Sequence, residues 1–264
     1  MQLSLRTTQR DVAPAVFAML WVLACGARVG ATPIPSPDFL KLPALRLRVV
    51  SQHTGNLIQT SRLWTESVES NGETLVAVHE TANLPSGSTL ESRTLLRPGA
   101  SVRPLQVERR IRAADGVTLA LDMRQFRPDA FPYSGMTVPD DTYPLNQILL
   151  YLIGYLPLDA AGVGSFYVLG EVQAYKLDVW KHGTEEIDVP AGHFACDHLR
   201  LRPNPESFNI PAILRPLVPL FLPDIDAWVT REPPHLTVRI RGPLGPPNDR
   251  DVVLELLARE DATQ

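Results

Sequence analysis

The chain has 264 residues, of which 44% are hydrophobic and 20% charged, a mix that argues against disorder along the whole length. Lys+Arg number 25 against 29 Asp+Glu, for a formal charge of -4, so a strongly basic nucleic-acid binder is disfavoured and no nucleic-acid partner is expected. Proline (25 residues) outnumbers glycine (16), which favours short elements joined by stiff turns over long helices.

Residues 1–31 read as a signal peptide. Arg6 and Arg10 supply a positive start, Val12 to Ala24 is apolar apart from Pro14, and Val29-Gly30-Ala31 offers small residues for cleavage. The apolar run is shorter than the ~20 residues a membrane-spanning helix needs. Val22-Leu23-Ala24-Cys25 carries an alternative, because it resembles a bacterial lipobox in which Cys25 would be acylated. Either route implies export, to the periplasm or to an outer-membrane-attached form. The other cysteine is Cys196, so the processed chain has no internal disulfide and must rely on its apolar core.

Thr32 to Pro43 holds four prolines and reads as an extended leader. From residue 44 to about 260 a single β-rich domain is expected. Leu45, Leu47 and Val49 alternate with Arg46 and Arg48, and Leu57 to Trp64 and Leu75 to Glu80 repeat the style. In Val117 to Met123 the residues Val117, Leu119, Leu121 and Met123 are expected inward. Asn71-Gly72 and Asp115-Gly116 suit two-residue hairpin turns in which both central positions have positive φ. The arginines from 93 to 112 read as a solvated strand face of mixed charge, in preference to a site for anionic headgroups.

Asp140 to Pro157 predicts a helix over about 142–156. Leu145, Leu149, Leu152 and Leu156 form its stripe, widened by Ile148, Tyr151 and Tyr155, and a helix so apolar must be buried on most sides. Ser165 to Trp180 predicts a long strand with a bend at Gly170. Thr184 to Val189 and Phe194 to Arg202 predict a hairpin around Pro190-Ala191-Gly192. Phe208 to Pro223 is a stiff apolar loop whose Leu217, Leu220 and Phe221 need cover. Ala227 to Thr230, Leu236 to Arg241 (Leu236, Val238 and Ile240 inward) and Asp251 to Arg259 close the chain. The expected fold is mainly β: roughly ten strands in a strongly curved antiparallel sheet or open half-barrel, with one apolar helix and one proline-rich loop.

Catalytic and metal motifs are weak. His193-x-x-Cys196-x-His198 has no second pair at zinc-finger spacing, and His193 points away from the other two on a strand. No Gly-x-Ser-x-Gly, phosphate loop or dinucleotide fingerprint occurs. No catalytic residue, metal or cofactor is therefore assigned, and a hydrolase using Cys196 or a His/carboxylate pair is the minority reading.

Glu186-Ile187-Asp188-Val189-Pro190-Ala191-Gly192-His193-Phe194, then Ala227-Trp228-Val229, Pro233-Pro234, Val238-Arg239-Ile240 and Leu254-Glu255-Leu256, resemble the exported bacterial family called domain of unknown function 3108. The likeness is specific over 184–258 and departs in the proline-rich insertion 203–225. It implies a curved antiparallel sheet, an exported location and no established activity. The expected function is an envelope protein that binds or carries an apolar ligand, such as a lipid or acyl chain, through Leu145, Ile148, Leu149, Leu152, Leu217, Leu220, Phe221 and Trp228. The alternative is a structural envelope protein whose 208–223 loop docks a protein partner or a membrane surface.

Overall fold

A computed structural model of the chain describes residues 31–126, 139, 141–145, 147–169, 174–207, 211, 213, 224–244 and 251–260. The predicted signal peptide through residue 30, Cys25, and Leu217, Leu220 and Phe221 of the apolar loop lie outside the described residues. The strands are β1 (Ala44–Ser51), β2 (Leu57–Ser70), β3 (Glu73–Asn83), β4 (Thr89–Arg97), β5 (Arg103–Arg112), β6 (Thr118–Gln125), β7 (Thr142–Pro144), β8 (Val163–Leu169), β9 (Ala174–Val189), β10 (Gly192–Pro203), β11 (Ile225–Thr230), β12 (Thr237–Gly242) and β13 (Val252–Glu260). One short helix, α1 (Leu149–Leu152), precedes β8.

All thirteen strands belong to one sheet, in the order β6-β5-β4-β3-β2-β1-β13-β12-β11-β10-β9-β8-β7. Every neighbouring pair is antiparallel except β7 with β8. The sheet is therefore mainly β as expected, with more strands than the roughly ten predicted, and it is not closed into a barrel. Two meanders, β1 to β6 and β8 to β13, are joined in the middle of the sheet where β1 pairs β13.

Local chemistry explains most boundaries. Asn71 (φ 53°) and Gly72 (φ 77°) both take the left-handed conformation that a tight hairpin between β2 and β3 requires. The β5–β6 turn differs from its prediction. There the left-handed residue is Gly116 (φ 84°), while Asp115 bends the turn by accepting a 3.0 Å hydrogen bond from the Val117 amide on its carboxylate. The predicted strand 165–180 is two strands, β8 and β9, paired antiparallel to each other. The β9–β10 hairpin falls where Pro190-Ala191 predicted it.

The predicted helix over 142–156 is much shorter. Thr142–Pro144 instead pairs in parallel with Tyr167, Val168 and Leu169, and Pro144 is tolerated there because β7 is a sheet edge. A 3-10 turn over Ile153–Tyr155 follows α1, and Pro157 bars continuation. So short a helix is held by packing rather than by its own hydrogen bonds. Ile148 to Ile153 are all buried, and the Tyr151 hydroxyl donates to the Pro43 carbonyl at 2.8 Å. A β-carbon at Gly154 would collide with the His235 carbonyl, so the turn sits directly against the loop leading into β12.

One hydrophobic cluster joins α1 to β1, β2, β3, β4 and β8 to β13. Leu45, Leu47, Leu63, Val78, Phe166, Val179, Leu201, Val238 and Leu256 form its wall, and all are buried. The leader segment contributes too. Ile34, Phe39 and Leu42 are buried in the same cluster. The Ile34 amide donates to the Tyr143 hydroxyl, which donates to the Val102 carbonyl, and the Val102 amide donates back to the Ile34 carbonyl.

Candidate ligand cavity and the surrounding charge network

The orientation of β6 is opposite to the expectation. Val117, Leu119, Leu121 and Met123 are 54–61% exposed, while Asp122 and Arg124 occupy the other face. Register decides this: Asp122 pairs Arg109 and Arg124 pairs Val107, whose side chains face the interior. Leu121 and Met123 thereby lie beside Arg110 and Glu108 on the outer side.

A row of residues consequently crosses the inner face at one level: Leu63 on β2, Glu80 on β3, Ser92 on β4, Arg109 on β5 and Asp122 on β6. It begins apolar and ends charged. Beyond it lies β7 from the far edge of the sheet. Arg109 Nη2 donates to the Leu145 carbonyl at 3.1 Å, a contact between the strand next to one sheet edge and the residue that follows the other edge. Arg109 thus leaves the solvated face predicted for it, whereas Arg97, Arg110 and Arg112 conform, pairing Glu73, Glu108 and Glu91 in partly exposed ion pairs.

Where the two ends meet is a cavity of about 290 Å³ lined by Val107, Arg109, Asp122, Arg124, Phe126, Pro144, Leu145 and Leu169. Arg124 Nε donates to Asp122 Oδ2 at 2.9 Å. Glu80 is buried behind Arg109. Burial pushes its carboxyl up to about 7, against the opposing pull of the Arg109 charge and a hydrogen bond from Gln147. The cavity therefore combines apolar walls with two guanidinium groups and one paired carboxylate.

Of the residues expected to touch a ligand, Leu145 lines this cavity. Ile148, Leu149 and Leu152 are buried in the central cluster, packed against the sheet. Trp228 is buried at the edge of the same cluster, away from the cavity. Its ring stacks on His198 with centroids 4.6 Å apart, and its Nε1 donates to Glu185 at 2.6 Å. Asp122, Arg124 and Glu80 were missed, and Arg109 figured only in the disfavoured reading of the arginines from 93 to 112 as a site for anionic headgroups. For Asp122 and Arg124 the signal was the strict alternation of β6, which gives a charged face and an apolar face without saying which is inside; β5 carries charge on both faces and offers no such signal for Arg109.

The outer side of the C-terminal meander carries a second polar assembly. His198, Trp228, Arg239, Glu255 and Arg48 lie in register across β10, β11, β12, β13 and β1. Glu255 accepts from Arg48 and Arg239, both at 2.7 Å. Asp226 accepts from His198, Arg200 and Arg241. Burial works against the Asp226 charge, but Arg241, His198 and Arg200 outweigh it and hold the carboxyl below its usual range. These reciprocal pairings account for the polar groups present, as a structural ladder would.

The His193, Cys196 and His198 trio does not converge. His193 is exposed and paired with Glu186 and Asp188, and His198 sits between Glu185 and Asp226. Cys196 is buried, and burial first, then nearby carboxylates, push its thiol up to about 12. Such a thiol supplies little thiolate near neutral pH.

No protein-family model matches the chain, and no curated protein matches it. Solved structures that resemble it include an exported-protein candidate with a YmcC-like fold from Bacteroides fragilis, 13% identical, covering 87% of this chain and 100% of its own length at a TM-score of 0.37. Another is a lipoprotein candidate from Parabacteroides distasonis, 12% identical, covering 88% and 100% at a TM-score of 0.34. The likeness to domain of unknown function 3108, which runs in outline over 45–258 and is specific over 184–258, accordingly rests on the sequence resemblance alone.

Proposed function

We propose that the protein is an exported, non-enzymatic cell-envelope protein that holds an apolar ligand of the acyl-chain type where the two ends of a strongly curved sheet meet. Export rests on the character of residues 1–31. The cavity beside Leu145 is the observation that carries ligand binding, since apolar walls with a few fixed polar groups are what a small-molecule site needs. The interior around α1 is filled by Ile148, Leu149 and Leu152, which moves the ligand from the middle of the fold to the seam. Native mass spectrometry of protein purified from an envelope fraction tests this. A bound single-chain species, lost when Val107→Trp fills the cavity, is the expected result. Uptake of a fluorescent acyl probe that Val107→Trp leaves unchanged would refute the location.

A second reading has its own observation. Exposed apolar stripes mark docking surfaces, and that of β6 lies on a sheet edge, where a partner strand can add. In the proline-rich loop Ile213 is 85% exposed, consistent with a partner or membrane surface there. Pull-down with Leu119→Ser/Leu121→Ser separates the readings: loss of an envelope partner with unchanged ligand uptake favours docking.

A further inference from the structure

We propose that the seam cavity selects a short, single-chain anionic amphiphile, with its head at Arg109 and Arg124 and its chain against Val107, Leu145 and Leu169. The inference rests on the ligand-binding reading and adds the chemistry of the guest. Size sets the first limit. A volume of about 290 Å³ equals roughly ten water-sized groups at ~30 Å³ each, enough for an eight-carbon chain with a small head and too little for a whole phospholipid.

Charge sets the second. Two guanidinium groups and the Asp122 carboxylate line the space, so among the described residues the lining carries one positive charge in excess. Asp122 is already taken by Arg124 and has less reason to repel an arriving anion. Arg109 gives one hydrogen bond among the described residues, to the Leu145 carbonyl, out of the five donors a guanidinium carries. The carboxylate behind it, Glu80, is pushed by burial up to about 7, so near neutral pH it cancels the Arg109 charge only in part. Arg109 is thus a half-buried cation with spare, forked donors, the arrangement that recognises carboxylate and phosphate heads.

Isothermal titration of the processed protein with octanoate, octyl phosphate and 1-octanol tests the inference. Octanoate or octyl phosphate should bind about tenfold or more tightly than 1-octanol, as a charge-assisted hydrogen bond warrants, and the tighter of the two identifies the head. Arg109→Met should remove that preference while leaving 1-octanol binding in place. Because Arg109 also ties the two sheet ends, Arg124→Met, read beside a thermal melt, serves as the second variant and should weaken anion binding at an unchanged melting temperature. Equal binding of 1-octanol and octanoate would overturn the anionic assignment and leave an apolar site. Failure of all three probes to bind would overturn both.

Discussion

Strands β6 and β12 carry the same alternation and end up inside out with respect to each other. In β12 and the residue before it, Leu236, Val238 and Ile240 are 0–6% exposed, whereas Val117, Leu119, Leu121 and Met123 around β6 are more than half exposed. The difference lies in the neighbours. β12 is flanked by β11 and β13, and its apolar face meets α1. β6 has a partner on one side, and its inner face looks onto a charged cavity. Period-two patterning establishes that a strand has two faces, while the element packed behind it decides which face turns inward.

The sharpest way to break this contrast is a buried charge. Val238→Asp should cost about 4 kcal/mol or more and yield little folded protein, because the carboxylate would have no partner. Leu121→Asp should express normally. Comparable losses of soluble protein from both would show that β6 is covered after all. Gly154→Ala comes next, at about 3 kcal/mol in urea denaturation. Its new methyl group meets the His235 backbone carbonyl, which cannot rotate away as a side chain would. This probes the packing of the turn after α1 against the β12 side alone.

Glu80 sharpens the comparison from the cavity side. Its folded carboxyl lies near 7 against 4.5 for the free group, so the folded state retains a proton that the unfolded chain has released. Stability from this group is present below about pH 4.5 and is lost as pH rises through 7. Glu80→Gln should flatten the decline between pH 5 and pH 8 and raise stability at pH 8 by on the order of 2 kcal/mol, measured by urea melts at both values. An unchanged slope would mean that Arg109 already neutralises the carboxylate. The smallest effect is expected on the outer face of β6. Leu121→Ser should change stability by less than about 0.5 kcal/mol, and a larger loss by the same assay would place a covering element over the stripe.

The C-terminal meander was largely legible in the sequence. Leu236, Val238 and Ile240 are inward, and the β9–β10 hairpin turns at Pro190-Ala191, because central strands have one apolar face and strong turn residues. Less could be read around 140–180. Thr142–Pro144 has helical spacing with Ile148 and Leu149, and only pairing with β8, far from anything local, makes it a strand. The cavity was hidden for a related reason. It is assembled from β5, β6, β7 and β8, whose meeting depends on the path of the whole sheet, so among its lining residues Leu145 alone drew notice, for its oiliness, while Arg109 passed as a surface arginine.

The pairing of β1 with β13 sets the order in which the molecule can be made. Ala44 meets Glu260, and Ser51 meets Val252, so the first strand to emerge waits for the last. Each meander can zip through adjacent hairpins, but Leu45, Leu47 and Val49 stay open to water until the final strand arrives. Assembly with such distant partners is slow, and the half-built intermediate presents a greasy, unpaired rim to any neighbouring chain. Deleting positions 251–260, which hold β13, should therefore leave two unjoined ribbons that aggregate, whereas a circular permutant that starts at β8 and runs from β13 straight into β1 should fold faster than the natural order.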